Sequence, residues 1–134
     1  MSKRWYQENK RDPWRRDAKA KGYRARSAYK LKQIHEKFGI LRRGDAVLDI
    51  GCHPGGWTQV AAEEVGESGT VIGVDLLATS PIEGAIVMVG DITEEGTIEE
   101  IVSHLGKRKL NAVISDISPR LTGRYDTDQA ISLE

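Results

Sequence analysis

Four short apolar runs constrain the fold of this chain more than any other feature. They are rich in β-branched residues and nearly continuous, at 46–50, 71–74, 85–89 and 112–114. Runs without polar alternation are typical of strands that are buried on both faces of a parallel sheet. Two of the three segments between these runs have apolar residues at helical spacing. The order of strands and helices therefore predicts an α/β domain with right-handed crossovers.

The helices are predicted from apolar residues at spacings of three and four. Ser27 is a plausible N-cap for a first helix that ends at Gly39. Its apolar stripe is Ala28, Leu31, Ile34 and Phe38. A second helix covers 57–65 and ends at Gly66. The residues 97–100 form a capping box that opens a third helix. Its apolar face is Ile98, Ile101, Val102 and Leu105. The segment 76–84 has no clear helical stripe.

Length and cysteine content limit the class of protein. A chain of 134 residues is enough for one small domain. It has one cysteine, Cys52, which cannot form an internal disulfide and fits a reducing compartment. No apolar run approaches the length of a membrane span, and the first residues do not resemble a signal peptide. We therefore expect a cytoplasmic protein without a membrane partner.

The net charge of zero conceals a strong asymmetry along the chain. Residues 1–43 contain fifteen basic and four acidic residues, whereas 44–134 contain five basic and sixteen acidic residues. Six of the eight aromatic residues also lie in the first part. A basic segment with aromatic rings indicates a nucleic-acid partner, and a basic tail that packs on its own acidic body is the alternative.

Each predicted strand carries an aspartate at or near its carboxyl end. These residues are Asp49, Asp75, Asp91 and Asp116. Ligands of open parallel sheets bind at this edge. Four carboxylates there favour a ligand rich in hydroxyl and amino donors, and would repel an exposed phosphate chain. Helix caps or turn residues are the structural alternative for each single aspartate.

The glycine-rich loop after the first strand narrows the choice of ligand. Residues 51–58 have the outline of a phosphate-binding loop, but Trp57 stands in place of its lysine. The loop also lacks the glycine pattern of a dinucleotide site. A helix N-terminus could bind an amino-acid carboxylate, while Asp75 could bind ribose hydroxyls. S-adenosyl-L-methionine has both groups.

Five segments resemble the motifs of one family, the FtsJ-like (RrmJ-type) RNA ribose 2′-O-methyltransferases. Segment 49–58, DIGCHPGGWT, resembles the family's D-[LI]-G-x-x-P-G-G-[WF]-[ST] loop, with Cys52-His53 in place of the commoner Ala-Ala. Segment 23–31 resembles the R-[SA]-R-[SA]-x-[YF]-K-L motif. The remaining three are 74–76, 90–91 and 115–119. The resemblance implies a Rossmann-like S-adenosylmethionine methyltransferase fold with a mainly parallel sheet.

The resemblance also implies roles for individual residues. The candidate catalytic residues are Lys30 and Asp116, two members of a Lys-Asp-Lys-Glu tetrad. The candidate cofactor-binding residues are Gly51, Gly55, Gly56, Trp57, Asp75, Asp91 and Asp116, with Asp75 at the ribose and Asp91 at the adenine amino group. The candidate RNA contacts are Arg24, Arg26 and Lys37. No metal site is predicted, because the histidines and Cys52 do not have ligand spacing.

The substrate implied by the resemblance is a ribose in RNA, with a uridine of large-subunit (23S-type) rRNA favoured and tRNA as the alternative. Within one partial domain, residues 1–43 are expected to form a basic RNA-binding arm and helix, and 44–134 the cofactor-binding part. An N-methyltransferase is a weaker alternative, because segment 116–119 only loosely resembles the corresponding loop.

Two features of the family have no counterpart in these residues, namely the second lysine and the glutamate of the tetrad. We therefore expect the N-terminal portion of a longer protein or a truncated form. The alternative is a non-catalytic fragment that binds the cofactor and RNA. The last residues, 131–134, are expected to be helical. The sheet is expected to stop after its fourth strand, leaving an exposed edge that favours self-association.

Overall fold

The computed structural model describes residues 22–116 and the backbone of a short strand at 131–133. Predictions that concern residues 1–21 or 117–119 lie outside these residues. The elements in chain order are α1 (Ser27–Phe38), β1 (Ala46–Ile50), α2 (Gly56–Val65), β2 (Thr70–Asp75), β3 (Ile86–Val89), α3 (Glu95–Leu105), β4 (Ala112–Ser115) and β5 (Ile131–Leu133). No helix in the described part is long and apolar enough to cross a membrane.

The strands form one sheet in the order β3-β2-β1-β4-β5. The first four strands are parallel, as predicted, and each lies within two residues of its predicted bounds. Segment 76–85 between β2 and β3 contains no helix, which also agrees with the prediction. The α/β fold with a mainly parallel sheet is therefore confirmed.

The carboxyl-terminal end of the chain differs from the prediction. Residues Ile131–Leu133 are a strand that pairs antiparallel with β4, so β4 has a neighbour on both sides. The expectation of a helix here was wrong, and so was the expectation that β4 is an exposed edge. The segment Ile-Ser-Leu alternates apolar, polar and apolar residues, which is a strand period, but three residues are too few to distinguish it from a helix.

Helices cover both faces of the sheet. In β1, Val47 belongs to the core on the side of α1 and α2, whereas Leu48 belongs to the core on the side of α3. Successive side chains of a strand point to opposite faces, so both faces of β1 are buried. The continuous apolar runs of the sequence reflect this burial on two sides.

Helix α1 packs on α2 through Ala28 and Leu31, which are fully buried. Gly39 ends the helix in a left-handed conformation with φ of 60°, as predicted. Two details differ. Arg26, and not Ser27, occupies the N-cap position, and Phe38 is 65% exposed instead of completing the apolar stripe. The stripe ends early because the chain turns away at Gly39.

Helix α3 begins at Glu95, with Glu94 at the N-cap, so the predicted capping box at 97–100 is wrong. Thr97 is buried inside the first turn, and a Cβ atom at Gly90 would lie 2.8 Å from its hydroxyl oxygen. Of the predicted apolar face, Ile101 is buried, while Ile98 and Val102 are exposed. Thr97 therefore packs against the turn at Gly90 and does not cap the helix.

Candidate active site at the carboxyl edge of the sheet

The strand order places a crevice beside β1. The chain runs outward from β1 to β2 and β3, and then returns to β4 on the other side of β1. Ligands of open α/β sheets bind at such a reversal, outside the carboxyl ends of the strands. Ile50 is level with Val74 and Ser115, so Gly51 and Asp116, which follow their strands, lie level with Asp75, the last residue of β2.

The glycine-rich loop folds over the end of β2. The backbone N–H groups of Gly51 and Cys52 both donate to the carbonyl of Val74, at 2.8 and 3.2 Å. The thiol of Cys52 packs on Gly73, where a Cβ atom would lie 2.9 Å from the sulfur. Burial raises the pKa of this thiol to about 11, so it is a packed, protonated group and not a nucleophile.

Helix α2 starts directly at this loop and has no side-chain cap among the described residues. Its N-cap is Gly55, at φ of 119°. The first N–H groups of an α-helix lack acceptors within the helix and attract anionic groups. A cleft of about 80 Å³ opens beside this helix end. It is lined by Ser27, Asp49, Gly51, Cys52, His53, Pro54, Gly56, Trp57 and Asp116.

The carboxylate of Asp75 is held by two backbone amides. His53 N–H donates to Oδ2 at 2.9 Å, and Leu77 N–H donates to Oδ1 at 2.8 Å. A carboxylate oxygen has about two acceptor positions, so each oxygen retains one for a further donor. The arrangement suits a pair of neighbouring hydroxyl groups.

Asp49 lies one residue before the end of β1 and is only 1% exposed. Its Oδ2 accepts a hydrogen bond from the hydroxyl of Thr58, at 2.7 Å. Burial raises the pKa of Asp49 to about 7, and the negative charges of Asp116 and Asp75 add to this effect. The predicted roles do not include this residue, although the sequence places it beside the loop. Its burial depends on α2 and could not be read from the strand alone.

The candidate catalytic pair is in contact range. The Lys30 Nζ atom lies 3.9 Å from Asp116 Oδ1, and each side chain is about one-third exposed, at 33% and 29%. The start of α1, which carries Lys30, is fixed by Trp57, whose indole N–H donates to the carbonyl of Ser27 at 2.8 Å. The Trp57 side chain is buried in the core, and the residue also lines the cleft.

Asp91 lies in the turn between β3 and α3. Its Oδ1 accepts hydrogen bonds from the backbone N–H and the hydroxyl of Thr93, at 2.9 and 2.6 Å. These bonds lower the pKa of Asp91. It does not line the 80 Å³ cleft, and it follows β3 by two residues. The local bonds give Asp91 a turn-forming role beside any contact with a ligand.

The three candidate RNA contacts lie in different settings. Arg26 and Lys37 are exposed, near the two ends of α1. The guanidinium of Arg24 donates to backbone carbonyls of Pro54, Ser80 and Pro81. Within residues 22–116, no group of three or more histidine, cysteine or acidic side chains could hold a metal ion.

The donors and acceptors of this edge fit S-adenosyl-L-methionine. The uncapped end of α2 offers N–H groups to a carboxylate. Asp75 offers two oriented oxygens to ribose hydroxyls. Two acidic residues, Asp49 and Asp116, line the cleft and suit a positively charged group.

The sequence matches the FtsJ-like methyltransferase family over residues 23–134. Among curated relatives, "Ribosomal RNA large subunit methyltransferase E" of Methanothrix thermoacetophila is 52% identical over 126 residues, which cover 94% of this chain and 48% of the relative. The protein of the same name from Methanothermobacter thermautotrophicus is 43% identical, covering all of this chain and 64% of the relative. The chain therefore spans about half to two-thirds of the length of these relatives.

The fold of this chain is also similar to that of a solved structure. A ribosomal RNA methyltransferase of Plasmodium falciparum superposes with a TM-score of 0.64 at 30% identity, covering 72% of this chain and 57% of the other. The predicted resemblance and the Rossmann-like methyltransferase fold are both confirmed. With most of its residues matched, this chain belongs to the FtsJ-like methyltransferase family.

Proposed function

We propose that this chain is the cofactor-binding part of an enzyme that transfers a methyl group from S-adenosyl-L-methionine to a ribose 2′-hydroxyl in RNA. The favoured substrate is a uridine of large-subunit rRNA. Residues 1–43 would supply the RNA-binding arm and helix, and 44–134 the cofactor-binding part. The single cysteine and the nature of the substrate favour a cytoplasmic location.

One observation carries the proposal. The strand reversal beside β1 brings together the uncapped end of α2, the doubly hydrogen-bonded Asp75 and the Lys30–Asp116 pair. The first two suit the amino-acid and ribose ends of one ligand. The third places a cation and an anion where a second substrate could approach.

The chain's own residues would hold the cofactor through backbone and carboxylates. The amides at Gly55, Gly56 and Trp57 would bind its carboxylate, Asp75 its ribose, and Asp91 its adenine amino group. When bound, S-adenosyl-L-methionine supplies a methyl group on a positively charged sulfur. The sulfonium charge favours a site lined with acidic side chains, as Asp49 and Asp116 provide.

Lys30 and Asp116 would orient the ribose. The carboxylate of Asp116 would accept a hydrogen bond from the 2′-hydroxyl, and Lys30 would hold the carboxylate and a neighbouring RNA oxygen. Orientation of two reactants contributes strongly to rate when the attacking atom is aligned with the bond that breaks. The resemblance assigns proton removal to a second lysine that has no counterpart here, so we expect slow turnover by the 134-residue chain alone.

The choice of RNA rests on the relatives. Those reported above carry a ribosomal large-subunit name, at 52% and 43% identity. This favours rRNA over tRNA as the substrate. The basic part of the sequence suits either RNA.

Methyl transfer tests the proposal directly. The chain would be incubated with methyl-labelled S-adenosyl-L-methionine and, separately, large ribosomal subunits, protein-free large-subunit rRNA and tRNA. Digestion to nucleosides identifies the labelled product. We expect slow formation of 2′-O-methyluridine in the ribosomal samples, and a decrease on the order of 10²-fold for Lys30→Met, because alignment of the ribose is lost.

Lys107→Met is the matched control, because Lys107 is an exposed lysine beyond α3, away from the cleft. It should retain the wild-type rate. Label in a base amino group would contradict the proposal and favour an N-methyltransferase. Cofactor binding without any label in RNA would favour the non-catalytic fragment, and label in tRNA alone would overturn the choice of substrate.

A further inference from the structure

The side chain of Arg24 bridges two loops at the carboxyl edge of the sheet. Its Nη1 donates to the carbonyls of Pro54 and Ser80, at 3.3 and 2.8 Å. Its Nη2 donates to the carbonyl of Pro81 at 2.5 Å. Pro54 belongs to the glycine-rich loop after β1, and the other two belong to the loop after β2. One guanidinium therefore connects the two loops that flank the proposed cofactor site.

The backbone of Arg24 is anchored as well. Its N–H donates to Oε1 of Gln59 at 2.8 Å, and Nε2 of Gln59 donates to the carbonyl of Gly22 at 2.8 Å. Gln59 lies in α2, one turn after the glycine-rich loop. The backbone of Arg24 is thus fixed relative to α2, and its side chain reaches the two loops from this anchored position.

Apolar packing joins the same two loops. A Cβ atom at Gly55 would lie 2.6 Å from Cδ1 of Ile82 and 3.2 Å from Cδ of Arg24. Ile82 follows Pro81 and is 7% exposed. The glycine loop, the stem of Arg24 and the second loop therefore pack closely together, and the φ of 119° at Gly55 favours glycine there.

We propose that Arg24 is a positioning residue that fixes the glycine-rich loop relative to the loop after β2. A guanidinium has five N–H donors in a rigid fork, and hydrogen bonds to a charged donor are the stronger kind. Three of these donors bind carbonyls from two loops.

The consequence for the site rests on the function proposed above. The first loop leads into the amides of α2, and the second begins after Asp75, so their separation sets the distance between the two ends of the cofactor site. A site whose parts are already ordered binds more tightly, since the ligand does not have to order them. Loss of the bridge should therefore weaken cofactor binding even when no RNA is present.

The test compares Arg24→Gln with Arg108→Gln in the full 134-residue chain. Arg108 is a matched control, because its guanidinium also bridges backbone carbonyls, those of Gly44 and Ser68, but at the opposite edge of the sheet. S-adenosylhomocysteine is titrated by calorimetry without RNA. We expect Arg24→Gln to bind roughly tenfold or more weakly, and Arg108→Gln to bind like the wild type.

Amide hydrogen exchange without ligand provides the second measurement. Exchange at 51–56 and 78–82 should be faster in Arg24→Gln than in wild type, while exchange in β1 and β2 stays slow. Arg24→Lys keeps the charge, but its single ammonium nitrogen cannot occupy the positions of both Nη1 and Nη2, so it should behave like Arg24→Gln. Wild-type exchange in both loops of the Arg24 variants would overturn the proposal.

The outcomes separate this inference from the proposed function. Unchanged affinity for S-adenosylhomocysteine in Arg24→Gln, with weaker RNA binding that Arg24→Lys restores, would identify a phosphate contact instead. A wild-type chain that does not bind S-adenosylhomocysteine would contradict the proposed function. The exchange comparison would still decide whether Arg24 fixes the loops.

Discussion

The acidic residues of the site differ in what surrounds each carboxylate. Asp75 accepts two backbone N–H groups, and Asp91 accepts two hydrogen bonds from Thr93. Asp49 instead is buried and accepts a hydrogen bond from the Thr58 hydroxyl, and its pKa is raised to about 7. The pKa is therefore raised for Asp49 and lowered for Asp91, although both aspartates lie near strand ends.

The raised pKa of Asp49 predicts a specific pH dependence of stability. Between about pH 4 and pH 7 the folded chain binds a proton that the unfolded chain has lost. The free energy of unfolding therefore falls as pH rises through this window. A pKa raised from 3.8 to about 7 corresponds to a cost of about 4 kcal/mol above pH 7. Asp49→Asn keeps the shape of the side chain and cannot ionise.

Urea unfolding of wild type and Asp49→Asn at a series of pH values measures this effect. Titrations of all other groups cancel to a first approximation in the difference between the two proteins. The variant should gain stability relative to wild type from pH 4 to pH 7 and then reach a plateau. A difference that is constant over this range, or a carboxyl carbon signal of Asp49 that titrates near pH 4, would contradict the raised pKa.

At the scale of elements, α1 and α2 form one unit around Trp57. The indole packs with Ala28 and Leu31 of α1, and its N–H donates to the carbonyl of Ser27. Lys30 lies one turn further along α1, and Trp57 is the second residue of α2. The helix that carries the candidate catalytic lysine is therefore attached to the helix that begins at the glycine-rich loop.

Two substitutions at Trp57 separate the hydrogen bond from the packing. Trp57→Phe keeps an aromatic ring and removes the N–H donor, so we expect a loss of about 1 kcal/mol in the free energy of unfolding. Trp57→Ala also leaves a cavity, and should cost about 3–5 kcal/mol. Denaturant unfolding measures both. Equal losses for the two variants would show that the packing of an aromatic ring at position 57 contributes little to stability.

Apolar spacing predicted most of the elements, including the half-buried strand β3. β1 to β4 and the three helices follow from apolar spacing, because the core covers both sheet faces and one side of each helix. The start of α3 and the exposure of Phe38 could not be predicted, since they depend on the Gly90 turn and on where the chain leaves α1. β5 was missed because it has only three residues.

The candidate site also has some features that the sequence predicts and others that depend on tertiary packing. The order of the motifs and the register of parallel strands are enough to place Gly51, Asp75 and Asp116 together. The burial of Asp49 and the carbonyl contacts of Arg24 depend on α2 and on a loop some 55 residues away in the sequence. A basic residue in a basic segment gives no sign that its partners are backbone carbonyls.

The whole molecule divides by charge between the part that precedes β1 and the sheet that follows. Residues 1–43 have a net charge of +11, and residues 44–134 have −11. In the described part, Arg26 and Lys37 are exposed near opposite ends of α1, about 16 Å apart for a helix of this length. A basic surface of this extent could contact several phosphates, while the acidic part would repel them.

Binding of RNA should therefore depend steeply on salt. If about six phosphates are neutralised, affinity should fall about 10³-fold between 50 and 200 mM salt, because bound counterions are released. Arg26→Ala and Lys37→Ala should each lower the slope by about one, and the exposed Lys107→Ala should leave it unchanged. Fluorescence anisotropy of a labelled rRNA fragment across this range measures the slope. A flat response would mean that the basic segment is neutralised by the chain's own acidic part, and the RNA-binding role of residues 1–43 would then have to be abandoned.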